Sequence, residues 1–392
     1  MKNTADVVVI GGGIMGTATA YHLARRGVDA LLLEKTHLGA GSTGRTVGIV
    51  RQHYSLEVTA RMALRALKTW ENFDEMVGGD VGFVRSGVAF STGHEDKAGM
   101  EANVRLQQSV GIRTELLDGD GLREVAPYLA TEDIGAAAYE PDSGTADGSL
   151  ACTAYAARAR ELGATVKQGV EVTGIRLAGG RTAGVDTTEG PVDAPVVVNT
   201  AGPWGMRLAK MVGVEVPAET SRHQVASFAQ PEDFETPMHL VLGDFVVGHY
   251  LRSETGGLTL AGSLKDDISD EVPDPDNYNT EVDRPFVEEM VDCSIRRMPA
   301  LERGSVQGGW SGLYTVTPDW HMIVDHVEDV PGFVIGLGFS GSGFKMGPVV
   351  GEMLADLATG QQECPIDPHP FRLSRFAEGE PLKSEYSYSI VG

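Results

Sequence analysis

The chain has 392 residues, long enough for two domains of ordinary size, and 42% of them are hydrophobic. Its formal net charge is 32 − 55 = −23, which fits a well-solvated acidic surface and argues against nucleic acid and anionic membrane as partners. No run of about 18 apolar residues marks a spanning helix. The three cysteines, Cys152, Cys293 and Cys364, are too dispersed for a disulfide framework or a CxxC metal site, so a reducing cytoplasmic setting is expected.

Residues 6–10 (Asp6-Val-Val-Val-Ile10) are a short β-branched run of the kind buried in a parallel sheet. The run is too short for a secretory signal and leads straight into Gly11-Gly-Gly13-Ile14-Met15-Gly16. Gly11 permits a tight turn, Gly13 lets backbone approach a pyrophosphate, and Gly16 lets helix and strand pack closely. Ala18, Ala20, Leu23 and Ala24 continue as a small-residue helix that stops at Gly27. Residues 30–34 are a second strand. It ends on Glu34, roughly 20 residues past the glycines, where an acid accepts hydrogen bonds from a ribose. A lone GxGxxG is weak, but strand, turn, helix, strand and acid in this order specify a dinucleotide-binding unit. Gly41, Ser42, Thr43 and Arg45 follow in a loop rich in backbone donors, suited to a pyrophosphate or a flavin edge.

Helical spacing recurs over 56–77 and 98–110, with a strand-like stretch at 83–91 between them. A helix over 154–162 precedes a strand pair at 165–175 and further strands at 184–187 and 195–200. The last of these turns at Asn199-Thr-Ala201-Gly202-Pro-Trp204, another strand-to-helix bend with a glycine. The pattern then changes to an antiparallel sheet, with strands at 221–228, 240–251 and 257–264. An acidic, proline-containing loop at 270–276 and a helix at 282–298 complete this part. Residues 332–338 are a short apolar strand feeding Gly338-Phe-Ser-Gly341-Ser-Gly343-Phe344-Lys345, and a helix runs over 346–357.

This second glycine loop is not needed by a nicotinamide enzyme and often occurs in flavin enzymes, so the two loops together point to FAD. A helix N-terminus there carries about half a positive charge and free N–H donors, suited to the charge that a reduced flavin acquires. The expected fold class is α/β. A discontinuous Rossmann-like FAD-binding domain (1–79, 143–212 and 308–372) carries an inserted α+β substrate domain with an antiparallel sheet (80–142 and 213–307). Residues 373–392 form a C-terminal tail, and the cleft between the domains holds the chemistry.

In its motifs the chain resembles the D-amino-acid oxidase superfamily of flavoproteins, and within it the sarcosine oxidase, glycine oxidase and dimethylglycine dehydrogenase branch. The resemblance covers nearly the whole chain. It rests on Val9-Ile-Gly-Gly-Gly-Ile-Met-Gly16, Gly41-Ser-Thr-Gly-Arg45, Ile49-Val-Arg51-Gln-His-Tyr54 and Val198-Asn-Thr-Ala-Gly-Pro-Trp204. It continues in Tyr250-Leu-Arg-Ser-Glu-Thr-Gly-Gly257, Gly312-Leu-Tyr314-Thr-Val-Thr-Pro-Asp319 and Gly338-Phe-Ser-Gly-Ser-Gly-Phe-Lys345. The resemblance implies FAD, two domains, and oxidation of an amine next to a carboxylate. Ile14, Met15, Lys35, Val170, Ala201, Trp204, Gly312, Phe344 and Lys345 join the residues above as expected cofactor contacts.

By their motif contexts, Arg51 and Lys345 fall where the sarcosine oxidase branch clamps the substrate carboxylate, Arg as a planar fork and Lys as a point charge. Tyr250, His249 and Tyr314 are candidates for the pocket wall, with His223 and His321 ranked behind them. Gly312 stands where some members attach FAD through a cysteine, so FAD is expected to be non-covalent. His22 and His53 are the alternative attachment points. Thr259 stands where monomeric sarcosine oxidases carry a lysine that promotes reaction with oxygen. No metal site is expected.

The expected activity is FAD-dependent oxidation of the C–N bond of a small amino acid, such as an N-substituted glycine or another secondary amine. A hydride passes to flavin N5, the imine is hydrolysed, and O2 reoxidises the flavin to give H2O2. Alternatives are an amine dehydrogenase serving a quinone or partner flavoprotein, a hydroxy-acid or polyol-phosphate oxidoreductase, and a non-catalytic subunit of a larger oxidase. Monomer, homo-oligomer and hetero-complex all stay open at this level.

Overall fold

A computed structural model describes residues 3–383 apart from 233, 235–237 and 266–269. Its central feature is a six-stranded sheet in the order Ile323–His326, Phe333–Leu337, Val196–Asn199, Val7–Ile10, Ala30–Glu34, Thr165–Gln168. All neighbours are parallel except the first pair. Val7–Ile10 is buried throughout, as an apolar run with no polar alternation requires. Its side chains divide by the strand period of two: Val7 and Val9 join one apolar cluster, Val8 and Ile10 the other.

The first cluster contains the helices Ile14–Arg25, Glu57–Glu71, Gly148–Glu161 and Gly343–Thr359. The second lies under the helix Gly205–Met211 and a three-stranded sheet of Val172–Ala178, Arg181–Thr187 and Val192–Asp193. Two glycines let the first and the last long helix touch. A Cβ on Gly347 would lie 2.4 Å from Ile14 Cγ1, and one on Gly351 would lie 2.5 Å from Ala18 Cβ. Any larger residue would push the helices apart, and their N-termini would no longer serve one cavity.

A second sheet has nine strands among the described residues. It is antiparallel apart from one parallel pair, Val88–Thr92 beside Val241–Asp244, which the strand pattern did not foretell. The stretch read as one strand over 83–91 is shortened to Val88–Thr92 because Gly87 takes φ +74°. Likewise 240–251 divides into Val241–Asp244 and His249–Glu254 at a turn where Gly248 has φ +85°. The domain boundary placed at 308 cuts through the continuous strand Ser305–Val316, which pairs with Glu219–Ala229 along its length. Residues 308–316 therefore belong with the second sheet.

The C-terminal segment is not a trailing tail as far as residue 383. Arg375 is fully buried and forms an ion pair with Asp319 at 2.8 Å, and the backbone N–H of Leu382 donates to the same carboxylate. Residues 384–392 of the expected tail lie outside the described residues. Among the described residues no helix is long and apolar enough to cross a membrane.

Candidate active site

The helices Ile14–Arg25 and Gly343–Thr359 both begin at one cavity of about 670 Å³, within the range of about 300–1,000 Å³ usual for ligand sites. Neither helix has an acidic residue in its first turn or a side-chain cap at its N-cap residue, Gly13 or Ser342. Both positive helix ends are thus left to act on whatever the cavity holds. Glycine is required where the chain turns into the first helix. Gly11 has φ +107°, and a Cβ there would lie 2.6 Å from the Thr200 carbonyl oxygen. A Cβ on Gly16 would lie 1.9 Å from the Gly11 carbonyl oxygen, so Gly16 sits beneath the lining and sets the helix-to-strand contact.

Glu34 ends its strand as expected and is fixed in place. One carboxylate oxygen accepts from the Gly12 N–H at 2.7 Å; the other accepts from the Thr36 N–H at 2.8 Å and its hydroxyl at 3.1 Å. Thr43 Oγ1 accepts from the Ile14 N–H at 3.1 Å, which ties the 39–45 loop to the first helix. A glycine cradle, two helix N-termini and an anchored acid on one elongated cavity fit a dinucleotide with a pyrophosphate between its halves.

Gly11, Gly13, Ile14, Met15, Glu34 and Lys35 line the cavity, as do Gly41, Ser42, Thr43 and Arg45 of the following loop. Val170, Ala201, Gly202 and Trp204 contribute from the middle of the chain, and Gly312, Gly341, Gly343 and Phe344 from its end. Gly338 lies outside the lining; its φ of +67° turns the chain out of the strand, and a Cβ there would lie 2.4 Å from Thr317 Cγ2. The lining contains no cysteine, and its histidines are His37 and His223. His22 and His53, weighed as attachment points, are buried elsewhere.

The second sheet closes the other part of the cavity with Tyr250, Tyr314 and His223. The ring of His223 stacks on Tyr314, and its Nε2 meets Ser221 Oγ at 3.1 Å. Burial lowers the His223 pKa to about 4, so the imidazole is neutral at ordinary pH. Burial pushes the phenols of Tyr250 and Tyr314 up, which keeps both protonated. Tyr314 leans on the Gly341 turn, where a Cβ would lie 2.8 Å from its ring.

His249 departs from the expectation that it lines the wall. Adjacent strand residues face opposite sides of a sheet, so Tyr250 faces the cavity while His249 is fully buried 4.0 Å from Asp244. Thr259 is also away from the cavity; its hydroxyl accepts from Gln230 Nε2 at 3.0 Å. The same strand reaches the cavity four positions later, about 13 Å along, at Ser263, and beyond it at Lys265. Lys265 forms an ion pair with Glu289 at 2.6 Å. His321 is likewise buried outside the lining.

Arg51 and Lys345 are both buried, neither is part of the lining, and they are near enough for the Arg51 charge to act on Lys345. The Lys345 ammonium donates to the Gly341 carbonyl at 3.0 Å, and Trp70 Nε1 donates to the Lys345 carbonyl at 2.9 Å. Burial and the nearby Arg51 charge hold the ammonium pKa well below the usual lysine range. Arg51 lies over the Tyr54 ring at 4.2 Å and donates to the His53 carbonyl. Within reach of the Arg51 charge is Glu140, which sequence reasoning missed because no motif marks it. It accepts from the Gln52 N–H and the Ser143 hydroxyl, both at 2.8 Å, and burial raises its pKa to about 7. Ser263, Lys265, Asp276 and Tyr278 were also missed as cavity residues; of these only Asp276 carried a signal, in the acidic loop.

A family model described as DAO, FAD dependent oxidoreductase, matches residues 6–357. Mitochondrial sarcosine dehydrogenase of Homo sapiens is 29% identical over 387 residues, which cover 96% of this chain and 42% of that protein. The chain thus spans less than half of that relative. Sarcosine oxidase subunit beta of an Arthrobacter species is 28% identical over 407 residues, covering 100% of this chain and 95% of that one. Among solved structures, L-proline dehydrogenase from P. horikoshii superposes with a TM-score of 0.89 at 29% identity, covering 97% of this chain and all of the other.

Proposed function

We propose that this chain, which belongs to the DAO family of FAD dependent oxidoreductases, oxidises the C–N bond of a small amino acid, an N-substituted glycine in the first place. FAD, when bound, supplies the two-electron acceptor. The cradle of Gly11, Gly13 and Thr43 would hold its pyrophosphate, Glu34 its ribose, and the turn Gly341–Phe344 its flavin ring.

The observation that carries the reading is the buried pair of Arg51 and Lys345 beside that turn. Burial and the Arg51 charge disfavour the charged form of Lys345, and an entering carboxylate would favour it. Arg51 would fix the carboxylate as a fork and Lys345 as a point charge. Tyr250 and Tyr314 bound the space for the amine substituent, and the amine would bind in its neutral form, its proton left in solvent, so that no side chain has to act as a base. With the carboxylate anchored, the amine carbon is oriented and most of the rate comes from positioning. Water hydrolyses the resulting imine.

The electron acceptor that completes the cycle is O2 in this reading, giving H2O2. The similarity to sarcosine dehydrogenase and L-proline dehydrogenase favours a second reading, in which another acceptor takes the electrons.

The test is an anaerobic bleaching screen of the yellow protein with sarcosine, dimethylglycine, L-proline, longer N-carboxymethyl amines and glycerol 3-phosphate, followed by air. Bleaching by an N-substituted glycine with rapid return of colour and peroxide supports the oxidase. Slow return supports the dehydrogenase. Bleaching by glycerol 3-phosphate alone would overturn the amine reading.

A further inference from the structure

The acidic loop picked out in the sequence has a place in the fold that neither the substrate nor the reaction explains. Both of its roots are tied to the second sheet. The Val272 N–H donates to the Thr220 carbonyl at 2.7 Å. At the other root the buried Arg222 donates to the carbonyls of Asn279 and Glu281, at 2.9 and 2.6 Å, and pairs with Asp283. Between these roots, Pro273 and Pro275 stiffen the chain and send its tip across to the dinucleotide domain.

There the tip meets three side chains from two separate stretches of the chain. Asp276 accepts from Lys35 Nζ at 2.5 Å, Trp204 Nε1 at 2.8 Å and Arg207 at 2.8 Å. Asp274 accepts from Arg207 at 2.5 Å. The Lys35 ammonium also lies 4.1 Å from the centre of the Trp204 ring. Lys35 directly follows Glu34 at the ribose end of the cavity, and Pro275, Asp276 and Tyr278 share the cavity lining with it.

We propose that Asp274 and Asp276 are cofactor-retaining residues: the loop tip is a latch across the FAD cavity, and FAD leaves only when it opens. The inference rests on the cofactor and not on the proposed substrate. The two ends differ physically. The roots are held by backbone bonds and by carbonyls that accept from an arginine only 6% exposed, which salt screens far less. The tip is held by ion pairs whose partners are about one-third to one-half exposed (30% for Lys35, 48% for Asp276, 45% for Arg207), which salt does screen. A single exposed pair contributes little, but here one carboxylate holds three donors at once. The latch therefore opens at its tip and hinges at its roots.

The experiment follows flavin fluorescence as the purified holoprotein is diluted into flavin-free buffer at low and high salt. Wild-type protein is expected to release FAD about fivefold faster at high salt. Asp276→Asn and Arg207→Gln are expected to release it about tenfold faster at low salt and to lose most of the salt dependence, one ion pair remaining at the tip in each. Arg207→Lys, which keeps the charge, is expected to retain most of the wild-type behaviour, whereas a merely structural role for Arg207 would make both variants alike. Thermal melting in parallel confirms that each variant is folded. Release rates equal to wild type in Asp276→Asn, or a wild-type rate indifferent to salt, would overturn the latch while leaving the FAD site intact.

Discussion

The ring of His223 stacks on the ring of Tyr314, with centroids 3.9 Å apart and planes 22° from parallel. Tyr314 in turn rests on the Gly341 turn that opens the last long helix. The wall of the proposed substrate site and the glycine loop that would hold the flavin are thus one packed unit, and a change in either moves the other.

Gly341→Ala tests this coupling. Gly341 has φ +85°, which an L side chain adopts at a cost of about 1–2 kcal/mol, and the new methyl would also press on the Tyr314 ring. The expected outcome is a lower melting temperature together with a KM raised about tenfold or more. Steady-state kinetics and a thermal melt check both; an unchanged KM would separate the wall from the loop.

Replacing Arg51 and Lys345 together by alanine removes the proposed carboxylate clamp. Hydrogen bonds to charged groups are worth about 1.5–3 kcal/mol each, so a rise in KM of at least about a hundredfold is expected. Flavin content is expected to stay at the wild-type level, since the cradle of Gly11, Gly13, Thr43 and Glu34 is untouched. Kinetics indifferent to the double change would remove the clamp from the mechanism.

Acid stability follows from the buried histidines. Burial lowers the pKa of His22 and His53 to about 3 and of His223 and His249 to about 4. Each is depressed in the folded state, so its contribution is fully present above the unfolded value near 6.5 and is lost as pH falls towards its folded value. Glu140 acts in the opposite sense: its pKa, raised to about 7 by burial, makes it lose stability as pH rises from about 4.5 through 7. Four histidines outweigh one carboxyl, so the urea midpoint is expected to fall from pH 6.5 to 4.5. Glu140→Gln is expected to steepen that fall, and a midpoint constant over the window would contradict the account.

The pair Arg375–Asp319 fixes the C-terminal segment through two fully buried partners, at 0% and 2% side-chain exposure. Removing one partner of such a pair leaves a buried charge and costs about 3–5 kcal/mol, whereas an apolar replacement of both is close to neutral. Arg375→Ala is therefore expected to lower the urea unfolding free energy by that amount, and Arg375→Met with Asp319→Leu to recover most of it. Equal losses in both variants would show that packing, not the charge, holds the segment.

The cofactor half of the cavity was legible because its determinants are local. Gly11, Gly13 and Gly16 are demanded by one turn and its own helix, and Glu34 by the end of the next strand. The apolar clusters followed from strand and helix periods. His249 shows where local reasoning stops: a motif centred on Tyr250 does not say which of two neighbours faces the cavity, because that depends on which face of the sheet is covered. Thr259 fails for a related reason. Residues on one strand are interchangeable in sequence until register with the neighbouring strands fixes which of them reaches the cavity.

By itself, then, the sequence determined the two glycine loops, the helices they open and the acid at the strand end. Each of these is set by φ, by steric contact or by hydrogen bonds within a few tens of residues. The tertiary structure decided which helix ends meet at one cavity. It placed Arg51 beside Lys345, stacked His223 on Tyr314, and brought Asp276 across to Lys35, Trp204 and Arg207. These contacts join segments separated by up to some 290 positions in the chain. They depend on packing and strand register summed over the whole fold, which no local pattern of residues contains.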